Sequence, residues 1–336
     1  MIQAHVLDSW TRLDARDTWQ FSLAVLAAGF AAPLFLFCAG VSVALSAGSQ
    51  LRRHGNGAAA ARLVMRRGWW IFFLAFVFRL QAWLLGWSHD PRSLLKVDIL
   101  NVMGPSIVAA GAVWGLSHTR RARCATFAVA TAIVAFASPV VHATPLLDFL
   151  PDALEGYLRP PLSSGWFSIF PWTGFLFAGA IAGVLLNDIQ SPGEESRLNA
   201  WFAGAGAVTA LLAFGASFLP SVVGPSEFWG NAPSFFFIRT GILTGTIPLA
   251  YLWQHVVVRG GWSPMQQLGR TSLFIYWIHV EMVYGLISLK LHKSMTHGQA
   301  WAAFAAFAVF MLFCSVLKDR VAASTAARKE PPYTTV

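Results

Sequence analysis

Charged side chains are scarce in this sequence. Only 12% of its 336 residues are Asp, Glu, Lys or Arg, against about 25% in an average soluble protein. Cysteine is scarcer still, because Cys38, Cys124 and Cys314 are the only three. They lie far apart, each in or beside an apolar run, and no two have the spacing of metal ligands. We therefore interpret them as small packing residues and exclude a disulfide-built scaffold.

Apolar residues are abundant instead. They make up 56% of the sequence, with 15 Trp and 27 Phe, and the mean hydropathy is +0.57. A soluble chain of this length cannot bury so much apolar surface, and the composition also excludes disorder and a coiled coil. The composition predicts an all-α protein, a polytopic transmembrane helical bundle.

Runs of about 20 apolar residues mark the helices that can cross a bilayer. We predict one transmembrane domain over 1–317 and a disordered cytoplasmic tail over 318–336. Met1 to Leu7 is too short to cross, and we interpret it as the outer end of a tenth, N-terminal helix whose beginning is missing. The longest outer loop, 144–165, is expected to hold a short interfacial helix. The nine full spans are predicted at 21–46, 68–88, 99–117, 125–143, 166–187, 200–222, 233–254, 271–290 and 299–317.

Basic residues predict the orientation of these spans. Alternate loops hold 15 and 7 Lys and Arg, and the richer set is expected on the cytoplasmic side. This orientation places the C-terminus in the cytoplasm and predicts a multi-pass protein of the cell inner (plasma) membrane. The net charge of +9 is then explained by the inner loops. We expect membrane lipids as partners and no nucleic acid, and a homodimer is left open.

Ionisable residues inside spans are costly and mark candidate functional groups. Several have a plain structural alternative: Asp98 can cap the helix that follows it, Arg239 can reach the outer interface, and Glu281 can pair with an arginine. The two histidines can be a wet helix end and a hydrogen-bonded packing group. The candidates are His5, Arg79, Asp98, Arg239, His279 and Glu281.

A basic run lies between the second and third helices of the full bundle, at Arg52, Arg53, Arg62, Arg66 and Arg67. Such a run can simply contact anionic lipid on the inner side. It can also bind a phosphorylated cytoplasmic ligand, because the guanidinium group binds phosphate through two hydrogen bonds.

Six segments, in order, resemble the integral-membrane acyltransferases related to heparan-alpha-glucosaminide N-acetyltransferase, and more distantly the bacterial polysaccharide O-acetylases. The resemblance covers most of the chain and rests on order and spacing rather than on any single motif. Relatives begin with an Asp-x-x-Arg-Gly type run about fifteen residues before the histidine, whereas only four residues precede His5 here. The segments are MIQAHVLDSW, APLFLFCAGVSVAL, ARLVMRRGWWIF, VDILNVMG, FPWTGFLFAGAIAG and LGRTSLFIYWIHVEMVYG.

The resemblance implies an enzyme that uses acetyl-CoA or another acyl-CoA as co-substrate, without a metal, and a sugar or glycan acceptor outside. It implies a catalytic role for His5 as general base, with Asp98 orienting it and His279 assisting at the thioester. Arg66, Arg67 and Arg79 are the expected acyl-CoA-binding residues, and close helix packing is expected at Gly40, Gly104, Gly179 and Gly183. Candidate substrate-binding residues are Trp172, Arg239 and Glu281.

The sequence is also compatible with a transport function. A bundle of nine or ten spans with a central polar cluster is also compatible with a secondary transporter of a small anion or glycan precursor. Transporters of that kind usually have paired broken helices in two related halves. The sequence has Gly and Pro interruptions, at Pro33, Pro171 and Pro248, but no matched second half.

Overall fold

The structure is a computed structural model, and it describes residues 1–85, 89–160, 167–221 and 223–327. The elements are helical, and the one isolated β-bridge among these residues joins Thr11 to Met295. This architecture confirms the predicted all-α fold class. The helices are α1 Ile2–Trp10, α2 Trp19–Ala28, α3 Ala31–His54, α4 Gly57–Leu85, α5 Ile99–Gly115, α6 Arg120–Ala143, α7 Asp152–Leu158, α8 Ile169–Leu186, α9 Pro192–Ala216, α10 Pro233–Leu252, α11 Pro264–Arg270, α12 Ser272–Tyr284 and α13 His297–Ala327.

Eight helical stretches in the described part of the chain are long and apolar enough to cross a membrane. One of them, Trp19–His54, contains both α2 and α3, so the predicted span 21–46 is two helices rather than one. The predicted span 271–290 is not among the eight. Its helix α12 has 13 residues, about 20 Å at 1.5 Å per residue, which is short of a ~30 Å hydrocarbon core. The count of nine spans therefore stays a prediction.

The described chain divides into two compact units. In unit 1, formed by α1, α2, α11, α12 and α13, the N-terminal helix packs into a core. Val6, Trp10 and Val283 are buried together, with Phe304 and Phe307 of α13 against them. The chain after α1 runs beside residues 293–295, where the amide of Met295 donates to the carbonyl of Trp10 at 2.9 Å. The segment Met1–Leu7 is thus an integral part of this unit.

Unit 2 contains α3 to α10, and glycines let its helices meet backbone to backbone. A Cβ on Gly40 of α3 would overlap the carbonyl oxygen of Leu176 in α8, and one on Gly183 would lie 2.5 Å from that of Val41. Gly179 likewise meets the carbonyl of Phe37. The close helix packing predicted at these glycines is confirmed.

The same unit confirms two further expectations. A Cβ on Gly104 would lie 2.6 Å from that of Phe72. The loop after α6 contains the expected short helix, α7, and Arg159 at its end binds Glu155 at 2.6 Å, Asp148, and the carbonyl of Thr144 at 2.6 Å. Hydrogen bonds to the two carboxylates raise the pKa of Arg159, so the arginine remains charged and fastens this loop.

The C-terminal helix α13 is longer than the predicted span 299–317. It continues to Ala327, so the first part of the segment predicted as a disordered tail is helical. Residues 328–336 lie outside the described residues, as do residues 161–166 of the predicted outer loop.

Candidate active site

The buried ring of His279 lies in the middle of α12. It is 1% exposed, and its Nδ1 lies 2.6 Å from the carbonyl oxygen of Ile275, one helical turn earlier. A carbonyl oxygen only accepts, so Nδ1 carries the proton and the lone pair of the neutral ring is on Nε2. Among the described residues, no group forms a hydrogen bond with this buried Nε2.

His5 of α1 lies against His279. The two ring centroids are 5.3 Å apart, with the ring planes inclined at 43°. Although 274 residues separate them in the sequence, both belong to unit 1. The structure therefore brings together two of the three residues that the resemblance implies are catalytic.

The hydrogen-bond partner of His5 is a residue that the sequence analysis missed. Its Nδ1 lies 3.2 Å from the hydroxyl of Tyr284, which in turn donates to Asp8 at 2.9 Å. The resemblance implies that Asp98 orients His5, and this role stays a prediction because the two residues belong to different units. Asp8 was within reach of sequence reasoning, because it follows His5 by three residues and therefore shares its face of α1. Tyr284 carried no such signal.

Asp98 has structural tasks in unit 2. One carboxylate oxygen accepts from the amides of Leu100 at 2.9 Å and Asn101 at 3.2 Å, and this caps α5. The Asn101 side chain completes a capping box by accepting from the amide of Asp98. The other carboxylate oxygen lies 3.1 Å from Nε of Arg79. The capping role that sequence reasoning had left open is confirmed, and Arg79 pairs with this carboxylate.

The predicted outer loop packs over this cluster. Asn101 donates from its side-chain amide to the hydroxyl of Tyr157 in α7 at 3.2 Å, and the Tyr157 ring packs edge-on against Phe72 of α4, with centroids 6.0 Å apart. Partial burial raises the pKa of Tyr157, so its hydroxyl stays protonated near neutral pH. Asp98 and Arg79 thus belong to a network in which each side chain has a partner.

Arg66 and Arg67 occupy the exposed face of α4. The opposite face, which includes Val64 and Gly68, is buried. Trp69 and Trp70 are also exposed next to the two arginines. Any phosphate that these guanidinium groups bind must therefore approach the exposed face of this helix.

The three predicted substrate-binding residues are spread over three helices. Trp172 of α8 is half-buried and packs edge-on against Phe167, with centroids 4.8 Å apart. The guanidinium carbon of Arg239 lies 3.9 Å from the centroid of the Phe235 ring, a cation–π contact within α10. Glu281 lies half-buried on α12, two residues after His279.

The described residues contain no group of three or more His, Cys, Asp or Glu side chains placed to hold a metal ion.

Comparison with known proteins adds one match. A family model described as heparan-alpha-glucosaminide N-acetyltransferase, catalytic, matches residues 1–220. The matched segment contains His5, Arg66, Arg67, Asp98 and Trp172 and ends before α12. A search of curated proteins finds no match.

Proposed function

Because the chain belongs to the heparan-alpha-glucosaminide N-acetyltransferase family, we propose that this membrane acetyltransferase moves an acetyl group from cytoplasmic acetyl-CoA to a hydroxyl or amine of an extracytoplasmic sugar. The observation that carries the proposal is the contact between His5 and His279. Two imidazoles packed in one helical unit, one of them with an unpaired buried nitrogen, are suited to accepting and passing on a proton.

The proposed reaction is a single acyl transfer with His5 as general base. The acceptor's O–H or N–H proton moves to Nε2 of His5 while the acceptor atom forms a bond to the thioester carbonyl carbon. The C–S bond then breaks, and the leaving thiolate takes the proton from the protonated His5. A positioned base of this kind contributes about 10²- to 10⁴-fold in rate, and the rest of the acceleration comes from holding both substrates together.

We propose that His279 assists the transfer by orienting the acceptor at the thioester. Because Nδ1 donates a hydrogen bond to the carbonyl oxygen of Ile275, the lone pair of the neutral ring is on Nε2. We propose that this nitrogen accepts a hydrogen bond from a second O–H or N–H group of the acceptor sugar and so orients the sugar toward the thioester. His279 can act as a proton donor at Nε2 only after it has become charged.

The remaining candidates are proposed to bind substrates or to shape the site. Arg66 and Arg67 bind the CoA phosphates, whereas Trp172, Arg239 and Glu281 bind the acceptor sugar. Asp98 holds Arg79 and the start of α5 in place.

We also propose that the protein lies in the inner (plasma) membrane of the cell. Its proposed orientation is the one predicted by the positive-inside rule, with the C-terminus in the cytoplasm. The support is the excess of Lys and Arg, 15 against 7, in alternate loops. In this orientation the end of α3 and the start of α4 face acetyl-CoA.

The test is a transfer assay in detergent, without any membrane gradient. Purified protein is incubated with acetyl-CoA labelled in the acetyl group and with glucosamine as acceptor probe, and both free CoA and labelled N-acetylglucosamine are measured. We expect both products in equal amounts. A protein that binds the label without releasing CoA, and that moves a solute only across a sealed vesicle, would instead be the transporter considered above.

A further inference from the structure

We propose that Tyr284 and Asp8 are positioning residues that hold His5 with its proton on Nδ1 and so keep its Nε2 free for the acceptor's proton. The inference deepens the proposed function and rests on it for the role of His5. The state of the His5 ring can nevertheless be measured in the resting protein.

A continuous line of polar contacts leads away from the ring. His5 Nδ1 lies 3.2 Å from the Tyr284 hydroxyl, the Tyr284 hydroxyl lies 2.9 Å from Oδ2 of Asp8, and Oδ1 of Asp8 lies 3.7 Å from a guanidinium nitrogen of Arg16. The same arginine also donates to the backbone carbonyl of Asp8. All four residues belong to unit 1.

The direction of each proton follows from the far end of this line. An ionised carboxylate only accepts hydrogen bonds, so the hydroxyl of Tyr284 must be the donor in its hydrogen bond with Asp8. The oxygen of Tyr284 can then only accept from the ring, and Nδ1 of His5 must carry the proton. The neutral ring has one lone pair left, on Nε2, where a general base needs it.

The backbone around this line is fixed on both sides. On α1, the residues that follow Asp8 bind the carbonyl oxygen of Val283: Ser9 donates from its hydroxyl at 3.0 Å and Trp10 from its indole at 3.3 Å. Val283 directly precedes Tyr284. These two hydrogen bonds therefore set the distance between α1 and the end of α12, and with it the contact between Tyr284 and His5.

The arrangement serves the purpose that a carboxylate serves in hydrolase triads, where it selects the histidine tautomer and stabilises the charged ring after proton uptake. Here a phenol stands between the imidazole and the carboxylate. When His5 becomes protonated, Tyr284 and Asp8 keep the same hydrogen bonds, so the proton arrives without rearrangement of the partners.

The first readout is kinetic and uses purified full-length protein with acetyl-CoA and glucosamine. We expect Tyr284→Phe to lower kcat by roughly 10- to 100-fold, within the contribution of a positioned base, with the KM for acetyl-CoA unchanged. Asp8→Asn keeps an acceptor for the Tyr284 hydroxyl but removes its charge, so its loss is smaller. The matched control is Asp14→Asn, because Asp14 is also exposed and pairs with Arg12 at 2.8 Å. It should leave kcat unchanged.

The second readout is the tautomer of His5, which does not depend on activity. The protein is labelled with ¹⁵N-histidine, and the signal of His5 is identified by its loss in His5→Gln. We expect the wild-type ring to be protonated at Nδ1, and the proton to move toward Nε2 in Tyr284→Phe. An unchanged His5 signal in Tyr284→Phe, or an unchanged kcat, overturns the inference. Failure of wild-type acetyl transfer would overturn the proposed function instead, while the ring signal still decides the role of Tyr284.

Discussion

Each unit of this molecule contains a small group of polar side chains among apolar helices, and the two groups differ in whether opposite charges are paired within them. In unit 2, one oxygen of Asp98 caps α5, and the other forms an ion pair with Nε of Arg79 at 3.1 Å, although these last two atoms do not form a hydrogen bond. In unit 1, the buried ring of His279 keeps a lone pair with no hydrogen-bond partner in the described chain. Since an unmade hydrogen bond in such surroundings costs free energy, it points to a ligand or reaction at that atom.

The comparison separates two reasons for placing a polar residue inside a membrane protein. A carboxylate that caps a helix and neutralises an arginine stabilises the fold, and its removal harms folding. An imidazole with a free nitrogen contributes little to the fold and is available for chemistry. The two groups should therefore respond in opposite ways to substitution: unit 2 in stability, and unit 1 in turnover.

The largest effect is expected for Asp98→Ala. The substitution leaves Arg79 without its carboxylate and α5 without its cap, and breaking a buried ion pair typically costs about 3–5 kcal/mol. Thermal unfolding in detergent, followed by tryptophan fluorescence, measures the loss. The matched control is Asp90→Ala, since exposed Asp90 caps a short helical turn by accepting from the amide of Arg92 and should cost only about 1 kcal/mol. Equal losses in the two variants would remove the structural assignment of Asp98.

His279→Phe should have the opposite signature. The phenylalanine ring preserves packing inside α12, so the unfolding temperature should stay close to that of the wild type. Acetyl transfer to glucosamine should fall by about 10²-fold, or about 2.7 kcal/mol in activation free energy. His118→Ala, in the exposed loop after α5, is the control and should retain wild-type turnover. A His279→Phe protein that unfolds easily but turns over normally when folded would place His279 with the structural group.

A smaller effect is expected at the exposed face of α4. Replacing both Arg66 and Arg67 with alanine should raise the KM for acetyl-CoA roughly tenfold, equivalent to about 1.4 kcal/mol of lost phosphate contacts, with kcat unchanged. The increase in KM caused by the double substitution should be smaller with acetyl-dephospho-CoA, which lacks one phosphate. Arg197→Ala changes an exposed arginine on the same predicted side and should change neither constant. If the KM does not move, the two arginines serve the lipid surface instead.

Sequence reasoning was most successful where the signal is local. The predicted apolar runs overlap all eight helical stretches of the described chain that are long and apolar enough to cross a membrane. The Asp-Ile-Leu-Asn sequence at the start of α5 indicated the cap that Asp98 makes. The contact between His5 and His279 was expected only from the family resemblance, because no local pattern relates residues 274 positions apart. The partners of those groups were harder to predict. Arg79 pairs with Asp98 from the neighbouring helix of the fold, a contact that no local pattern indicated, and its role in binding acyl-CoA stays a prediction.

The length of the apolar run was a poor guide to the length of α12. The run 271–290 is apolar enough to be read as a span, but Gly285 ends the helix after 13 residues. The hydropathy of the run therefore did not reveal that the helix ends before Gly285. The partnership of Tyr284 with Asp8 follows from that ending, because it places the last residue of α12 beside α1.

Chemical rescue of His5→Ala tests the central claim most directly. The purified variant is supplied with acetyl-CoA and glucosamine, and labelled N-acetylglucosamine is measured at increasing concentrations of free imidazole. If the His5 ring is the base, transfer should be lost without imidazole and should return in proportion to the imidazole added, while Asp98→Ala gains nothing from it. Wild-type transfer by His5→Ala in the absence of imidazole would contradict the account.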